Sequence, residues 1–194
     1  RFGIEREALR VDEKGKLAIT KHPQIFGDKM KNPYITTDFS ESQVELITPN
    51  FSSVRQTYDF LNALYDMTVL NIGNELLWPQ SVPCHIPEDS EIPIAEYGDG
   101  DTCQEARKYR EELLKKYGGK KQLLSGIHYN FSFEEEFIEK LYKEMNSPLS
   151  YKHFKDNIYL KITRNYLTHR WLLIYLLGAT PIFHESFVST CTKL

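Results

Sequence analysis

"FGIEREALRV", residues 2–11, reads as a strand with two glutamates set one residue apart. Successive strand side chains point to opposite faces, so Glu5 and Glu7 share one face and Arg6 and Arg10 take the other. At a rise of ~3.3 Å per residue the Cα atoms of Glu5 and Glu7 stand about 7 Å apart. Like charges that close repel unless water dilutes them or a cation sits between them. Two readings stand for this segment: an edge strand with solvated charges, or the wall of a cation site.

Two further stretches repeat the pattern. In "TTDFSESQVELITP", residues 36–49, Gln43 and Glu45 fall on one face and Val44 and Leu46 on the other, with Asp38 just upstream. In "SGIHYNFSF", residues 125–133, Gly126, His128, Asn130 and Ser132 form a small, polar face. Ile127, Tyr129, Phe131 and Phe133 form an apolar one, expected to meet a core. His128 is either a hydrogen-bonded structural residue or a ligand. If the three strands share a sheet, its polar face is dominated by carboxylate oxygen with one imidazole. Hard oxygen donors suit Mg²⁺ or Mn²⁺. Zinc is disfavoured because no second His or Cys joins at ligand spacing. Carboxylates around divalent ions commonly hold nucleotide phosphates. No GxxxxGK[ST] or GxGxxG loop is present, and glycine-rich "YGDGDT", residues 97–102, reads as a flexible loop.

Between these stretches the chain alternates strand and helix signals. Asp12–Gly15 predicts a hairpin turn into a strand over 16–20. A strand over 42–48 stops at Pro49. Ser53 and Gln56 match a capping box, opening a helix that Tyr58, Leu61, Leu64, Tyr65, Thr68 and Ile72 carry from 54 to about 76. Residues 78–103, with four prolines, are irregular, and Trp78 is expected to anchor them. Helices follow at 103–117, stopped by Gly118-Gly119, then at 134–145 and 151–177, the last closed by Gly178 and Pro181. The strand between them covers 123–133. On the last helix Tyr159, Ile162, Tyr166 and Leu173 read as core packing. Arg164 either lies on the helix surface or reaches an anionic ligand.

Composition narrows the partners. The chain has 194 residues, enough to bury a core as one domain. Its net charge of −3 argues against nucleic acid or anionic membrane as a partner. The longest apolar run, Trp171–Leu177, is too short to span a bilayer. Three cysteines (Cys84, Cys103, Cys191) without CxxC spacing suggest free thiols and a cytoplasmic setting. No signal peptide is visible, and the absence of an initial Met leaves the native start open.

Taken together, "FGIERE", "ITTDFSESQVELITP", "WPQSVPC", "YREELLKKYG", "SGIHYNFSF" and "RNYLTHRWLLIYLLGATP" resemble the bacterial glutamate–cysteine ligase family over residues 2 to about 187. The wording is most similar to the ligase half of bifunctional glutathione synthetases, where an ATP-grasp domain follows. The resemblance implies an α+β fold like that of glutamine synthetase: a curved, largely antiparallel sheet with its site on the concave face and helices outside. It implies that residues 1–194 are the N-terminal part of a longer catalytic domain, with the sheet incomplete. It places Glu5, Glu7, Asp38, Glu45 and His128 at metal positions and Tyr109 in the cysteine pocket. The implied reaction is the first step of glutathione biosynthesis. ATP phosphorylates the side-chain carboxylate of glutamate, and cysteine's amine attacks the acyl phosphate. The implied partners are glutamate, cysteine, ATP and Mg²⁺ or Mn²⁺, with homodimerisation open. Two alternatives stay open: a related carboxylate–amine ligase using another amine, and a non-catalytic metal- or ligand-binding relic.

Overall fold

The computed structural model describes residues 1–178 and 182–188, so Pro181 and Cys191 lie outside the described residues. Among the described residues there are five strands: β1 Phe2–Val11, β2 Ile35–Thr37, β3 Gln43–Ile47, β4 Leu76–Leu77 and β5 Ile127–Phe131. The helices are α1 Val54–Asn71, α2 Asp101–Tyr117, the short α3 Gly119–Gln122, α4 Glu135–Glu144 and α5 Tyr151–Leu177. The chain divides into two compact units, one of residues 2–130 with 182–194, the other of Arg1 with residues 131–181.

In the first unit the sheet runs β2-β3-β1-β4, with β5 also on β1. The β1–β3, β2–β3 and β1–β4 ladders are antiparallel. β1 is the centre. Arg10 N–H donates to Ser42 O and the Ile4 carbonyl accepts from Thr48 N–H, so even-numbered backbone faces β3. Glu7 N–H donates to Gly126 O and the Leu9 carbonyl accepts from Trp78 N–H, so odd-numbered backbone faces the other edge. That edge is therefore shared, β5 beside Glu7 and β4 beside the C-terminal end.

One sheet face packs on α1. Ala8, Val44, Leu46, Ile35, Leu61 and Leu64 are buried together there. The α1 stripe follows its 3.6-residue period at Leu61, Leu64, Thr68 and Ile72, but Tyr58 is exposed and Thr57, one residue before it, is buried instead. On the opposite face Leu9 and Val11 are covered by Phe39, Ile86, Ile92 and Leu123, while the Glu5–Glu7 end of the same face carries carboxylates. Trp78 packs against this second cluster and donates its indole N–H to Val82 O at 2.8 Å, anchoring the irregular segment as expected.

Several local expectations fail for physical reasons. Residues 16–20 form only isolated bridges at Lys16 and Leu17. Past the Asp12–Gly15 turn, the Arg10 guanidinium takes the carbonyls of Thr20 and Lys21, which pulls this segment off the ladder. Ser53 is the N-cap of α1 but its hydroxyl makes no cap bond, so the capping box does not form. α1 stops at Asn71 rather than near 76, where Gly73 adopts φ +66 and the chain turns into β4. α2 begins at Asp101, two residues earlier than expected, and Gly118 (φ +82) ends it while Gly119 opens α3. Gly119 is therefore no stop. β5 is shorter than 123–133: Leu123 and Ser125 are buried in the approach to it. Cys84 is a buried free thiol and Cys103 a half-buried one.

In the second unit α4 and α5 pack through buried Ile138 and Phe154, with Tyr142 against the rings of Tyr151 and Phe154 at 5.4 and 5.2 Å. Glu135 pairs with Lys155 across them. The expected core stripe on α5 is only half right: Tyr159 and Ile162 are half-buried, but Tyr166 and Leu173 are exposed. No helix among the described residues is long and apolar enough to cross a membrane.

Candidate active site

Alternation does what the sequence requires of it. Register pairs Glu5 with Ile47, Glu7 with Glu45 and Leu9 with Gln43, so both glutamates of β1 and Glu45 of β3 project from one face. Because Glu7 N–H points to β5, Glu7 and Glu45 form a non-hydrogen-bonded pair, with Cα atoms about 4.5 Å apart. Like charges directly opposite in such a pair are destabilising. β5 brings His128 and Asn130 to the same face. His128 Nε2 lies 3.2 Å from Glu7 Oε1, and Asn130 Nδ2 donates to Glu5 Oε1 at 2.8 Å. The other Glu7 oxygen accepts Gly126 N–H at 2.7 Å. Gly126 is needed bare: a methyl there would stand 3.1 Å from His128 Nε2 and 3.7 Å from the Glu7 carboxylate.

The charge state of the cluster follows from burial and crowding. Burial raises the Glu45 carboxyl to about 7, and Asp38, Glu7 and Glu5 push it the same way, while His128 opposes them weakly. Glu7 is raised chiefly by burial and also by Asp38, against the Gly126 N–H bond and His128. Asp38, which follows β2, is raised by burial and lowered by Arg110, the Phe39 N–H and His128. Among the described residues neither Glu45 nor Glu7 has a Lys or Arg ion pair; Glu7's salt-bridge partner is His128. Four acidic residues and one imidazole thus meet on one surface, and each expected metal residue is found there. Among the described residues no three His, Cys, Asp or Glu side chains stand close enough to enclose an ion unaided.

The two expected substrate residues are elsewhere. Tyr109 lies on α2, 59% exposed. Arg164 is exposed on α5, in the other unit, with no charge partner among the described residues. The apolar side of β5 is not in a core: Ile127, Tyr129 and Phe131 are exposed, because among the described residues no element covers that side of the strand. Sequence reading also missed Tyr97, taken as part of a flexible loop, and Arg110. Tyr97 is half-buried and donates its hydroxyl to the carbonyls of Thr37 and Asp38 at 3.0 and 3.2 Å. Arg110 Nε donates to the Asp38 carbonyl as well, at 2.5 Å. Asn130 was readable from its alternation with His128. Arg110 had a weak signal: it falls on the half-buried stripe Cys103, Ala106, Leu113 and Leu114 of α2, which buries nothing fully.

The sheet thus packs α1 on one face and gathers acidic residues at one end of the other. The profile of the glutamate-cysteine ligase family matches residues 1–194, and the chain belongs to that family. The glutathione biosynthesis bifunctional protein GshAB of Clostridium perfringens is 51% identical over 190 residues, covering 96% of this chain and 24% of that protein. The glutamate–cysteine ligase of Clostridium acetobutylicum is 44% identical over 192 residues, covering 99% of this chain and 40% of that one. Among solved structures, the Francisella tularensis glutamate–cysteine ligase in complex with AMP superposes with a TM-score of 0.87 at 37% identity, over 95% of this chain and 36% of that one. The mixed helical and antiparallel open-sheet fold is thereby that of the family, present here in part. The chain spans between a quarter and two fifths of the length of these curated relatives.

Proposed function

We propose that the native polypeptide carrying these residues is an ATP-dependent ligase. It joins the side-chain carboxylate of glutamate to the amine of cysteine, and residues 1–194 form the N-terminal part of its catalytic domain. Family membership supports the reaction class. The observation that carries the site is the carboxylate face, where Glu7, Asp38 and Glu45 are crowded and half-buried without a Lys or Arg beside Glu7 or Glu45. Folding places acidic groups there at a cost, and a divalent cation removes that cost.

The donor set fits Mg²⁺ or Mn²⁺: carboxylate oxygens from Glu5, Glu7, Asp38 and Glu45 with one imidazole from His128. Their failure to enclose an ion unaided agrees with Mg²⁺ chemistry, in which one or two carboxylates share the ion with water and substrate phosphates. When bound, the ion neutralises phosphate oxygens and stabilises the transferring phosphoryl group. The chain's own residues orient that chemistry. Gly126 N–H fixes one Glu7 oxygen and His128 meets the other, so the carboxylate is held in one rotamer. Asn130 does the same for Glu5. Tyr109 and Arg164 are proposed for the cysteine side and for an anionic group respectively. A cytoplasmic setting belongs to the same proposal, since ATP and glutamate are supplied there.

The test is incubation of the native polypeptide with radiolabelled glutamate, ATP and Mg²⁺ against a panel of amines. ADP release and a labelled dipeptide formed with cysteine are expected. Preference for another amine overturns the cysteine assignment, and absence of ATP cleavage with all amines overturns the ligase reading.

A further inference from the structure

We propose that Arg110 and Tyr97 are a positioning pair for Asp38, holding that carboxylate in the acidic cluster through its backbone. The inference rests on the metal-site reading above. Asp38 lies just beyond the end of β2, where its N–H still donates to Gln43 O at 3.2 Å but its carbonyl has left the ladder. Three hydrogen bonds hold the carbonyl side of this stretch. The Tyr97 hydroxyl reaches the carbonyls of Thr37 and Asp38, and Arg110 Nε reaches the Asp38 carbonyl. Arg110 is itself fixed twice: its guanidinium carbon lies 4.6 Å from the centre of the Tyr97 ring, and Nη1 donates to Ala106 O at 3.0 Å on its own helix. Lys29, engaged with Glu41, stands 5.3 Å from the same ring. Tyr97 is thus in contact with two cations, and neither it nor Arg110 touches Glu5, Glu7 or Glu45 through a hydrogen bond among the described residues.

This arrangement differs from a surface ion pair. Arg110 spends its Nε donor on a carbonyl and leaves its charge beside the Asp38 carboxylate, where it counters the effect of burial. The planar guanidinium is required for stacking and directed donation together, which an ammonium does not supply. Partners of this kind around metal ligands typically change metal affinity by about 10–100-fold when removed.

The experiment uses the native polypeptide with Arg110→Met, Arg110→Lys and Tyr97→Phe. Mn²⁺ binding is followed by electron paramagnetic resonance, kcat and KM by the ligase assay, and backbone opening by amide hydrogen exchange. Arg110→Met is expected to weaken Mn²⁺ binding by about 10-fold or more, to lower kcat while leaving KM for cysteine unchanged, and to speed exchange at the Phe39 and Ser40 amides. Arg110→Lys is expected to recover part of the Mn²⁺ affinity, and Tyr97→Phe to speed the same two amides. Unchanged exchange at Leu9 and Leu46 reports an intact core; if Arg110→Met loses that protection, Tyr97→Phe, which deletes one hydroxyl, decides. Unchanged exchange at Phe39 and Ser40, or faster exchange with unchanged Mn²⁺ affinity, overturns the positioning role. Absence of Mn²⁺ binding by the unsubstituted protein overturns the metal reading instead, and exchange alone then decides the pair.

Discussion

At Glu45, burial, Asp38, Glu7 and Glu5 all act in one direction, and the carboxyl titrates near 7. A glutamate with a higher pKa folded than unfolded binds more protons in the native state, so stability falls as pH rises from about 4.5 to about 7. The urea midpoint of the metal-free protein, taken relative to that of Glu45→Gln, is therefore expected to decline over that window. His22, held neutral down to about 4 by burial and by Lys29 and Arg10, acts in the opposite sense, losing stability as pH falls from 6.5. The comparison with Glu45→Gln isolates the glutamate. The same variant is expected to abolish ligation in the native polypeptide while leaving the fold intact; ligation at the unsubstituted rate contradicts the assignment of Glu45 to the metal. Glu45 was legible because a charge alternating with Val44 and Leu46 on a strand has one place to go. Tyr109 and Arg110 were separable only through the short stripe Cys103, Ala106, Leu113 and Leu114, which Arg110 joins and Tyr109 does not; a charged residue in such a stripe is easily read as surface.

Among elements, β1 organises the rest, and its even-numbered face ends in Arg10. That side chain is 1% exposed and donates to Glu75, Thr20 and the carbonyls of Thr20, Lys21 and Glu41. It ties three separate stretches to one strand. Arg10→Met strands Glu75 and three carbonyls, and a loss of about 3–5 kcal/mol is expected in denaturant unfolding, the range for breaking a buried pair from one side. A cost under about 1 kcal/mol, the surface ion-pair range, contradicts a structural role for the network. This residue also explains what the sequence could not convey. Val-Asp-Glu-Lys-Gly-Lys reads as a turn, and a turn forms, but the second arm of the hairpin is drawn aside by the guanidinium of Arg10 on the first arm. β2 and β4, of three and two residues, are too short to show a period at all. They exist because β3 and β1 offer edges. The long elements α1, α5 and β1 were readable in position because their patterns repeat; the limits of α1 were not, since the turn at Gly73 is set by what β4 must reach.

For the molecule as a whole, the apolar surface is unevenly distributed. The last turns of α5, from Trp171 to Leu177, expose every side chain, and Leu177 is 79% exposed. A helix that is apolar on all sides ordinarily lies inside a protein, and an exposed apolar patch of this kind promotes association. The longer relatives have further polypeptide available to cover it, given that this chain matches 24–40% of their length. Residues 1–194 expressed alone are expected to bind a hydrophobic dye and to self-associate with rising concentration in sedimentation velocity. Trp171→Glu with Ile174→Glu is expected to reduce both. A dye-silent monomer at all concentrations contradicts this view of α5. The exposed aromatics of β5 show the same lesson from the other side: alternation identified the polar face that matters, but whether the opposite face is covered depends on polypeptide that local sequence does not describe.

The contact between Glu7 and Gly126 joins residues 119 positions apart. On the ribosome, β1 leaves the exit tunnel long before β5 is made, with the part of its flank beside Glu7 vacant throughout that interval. A nascent chain in that condition presents an open, Ile- and Leu-bearing edge to its neighbours. Two adjacent negative charges on this strand disfavour the pairing of one waiting copy with another, so the crowding that burdens the finished sheet also keeps unfinished ones apart.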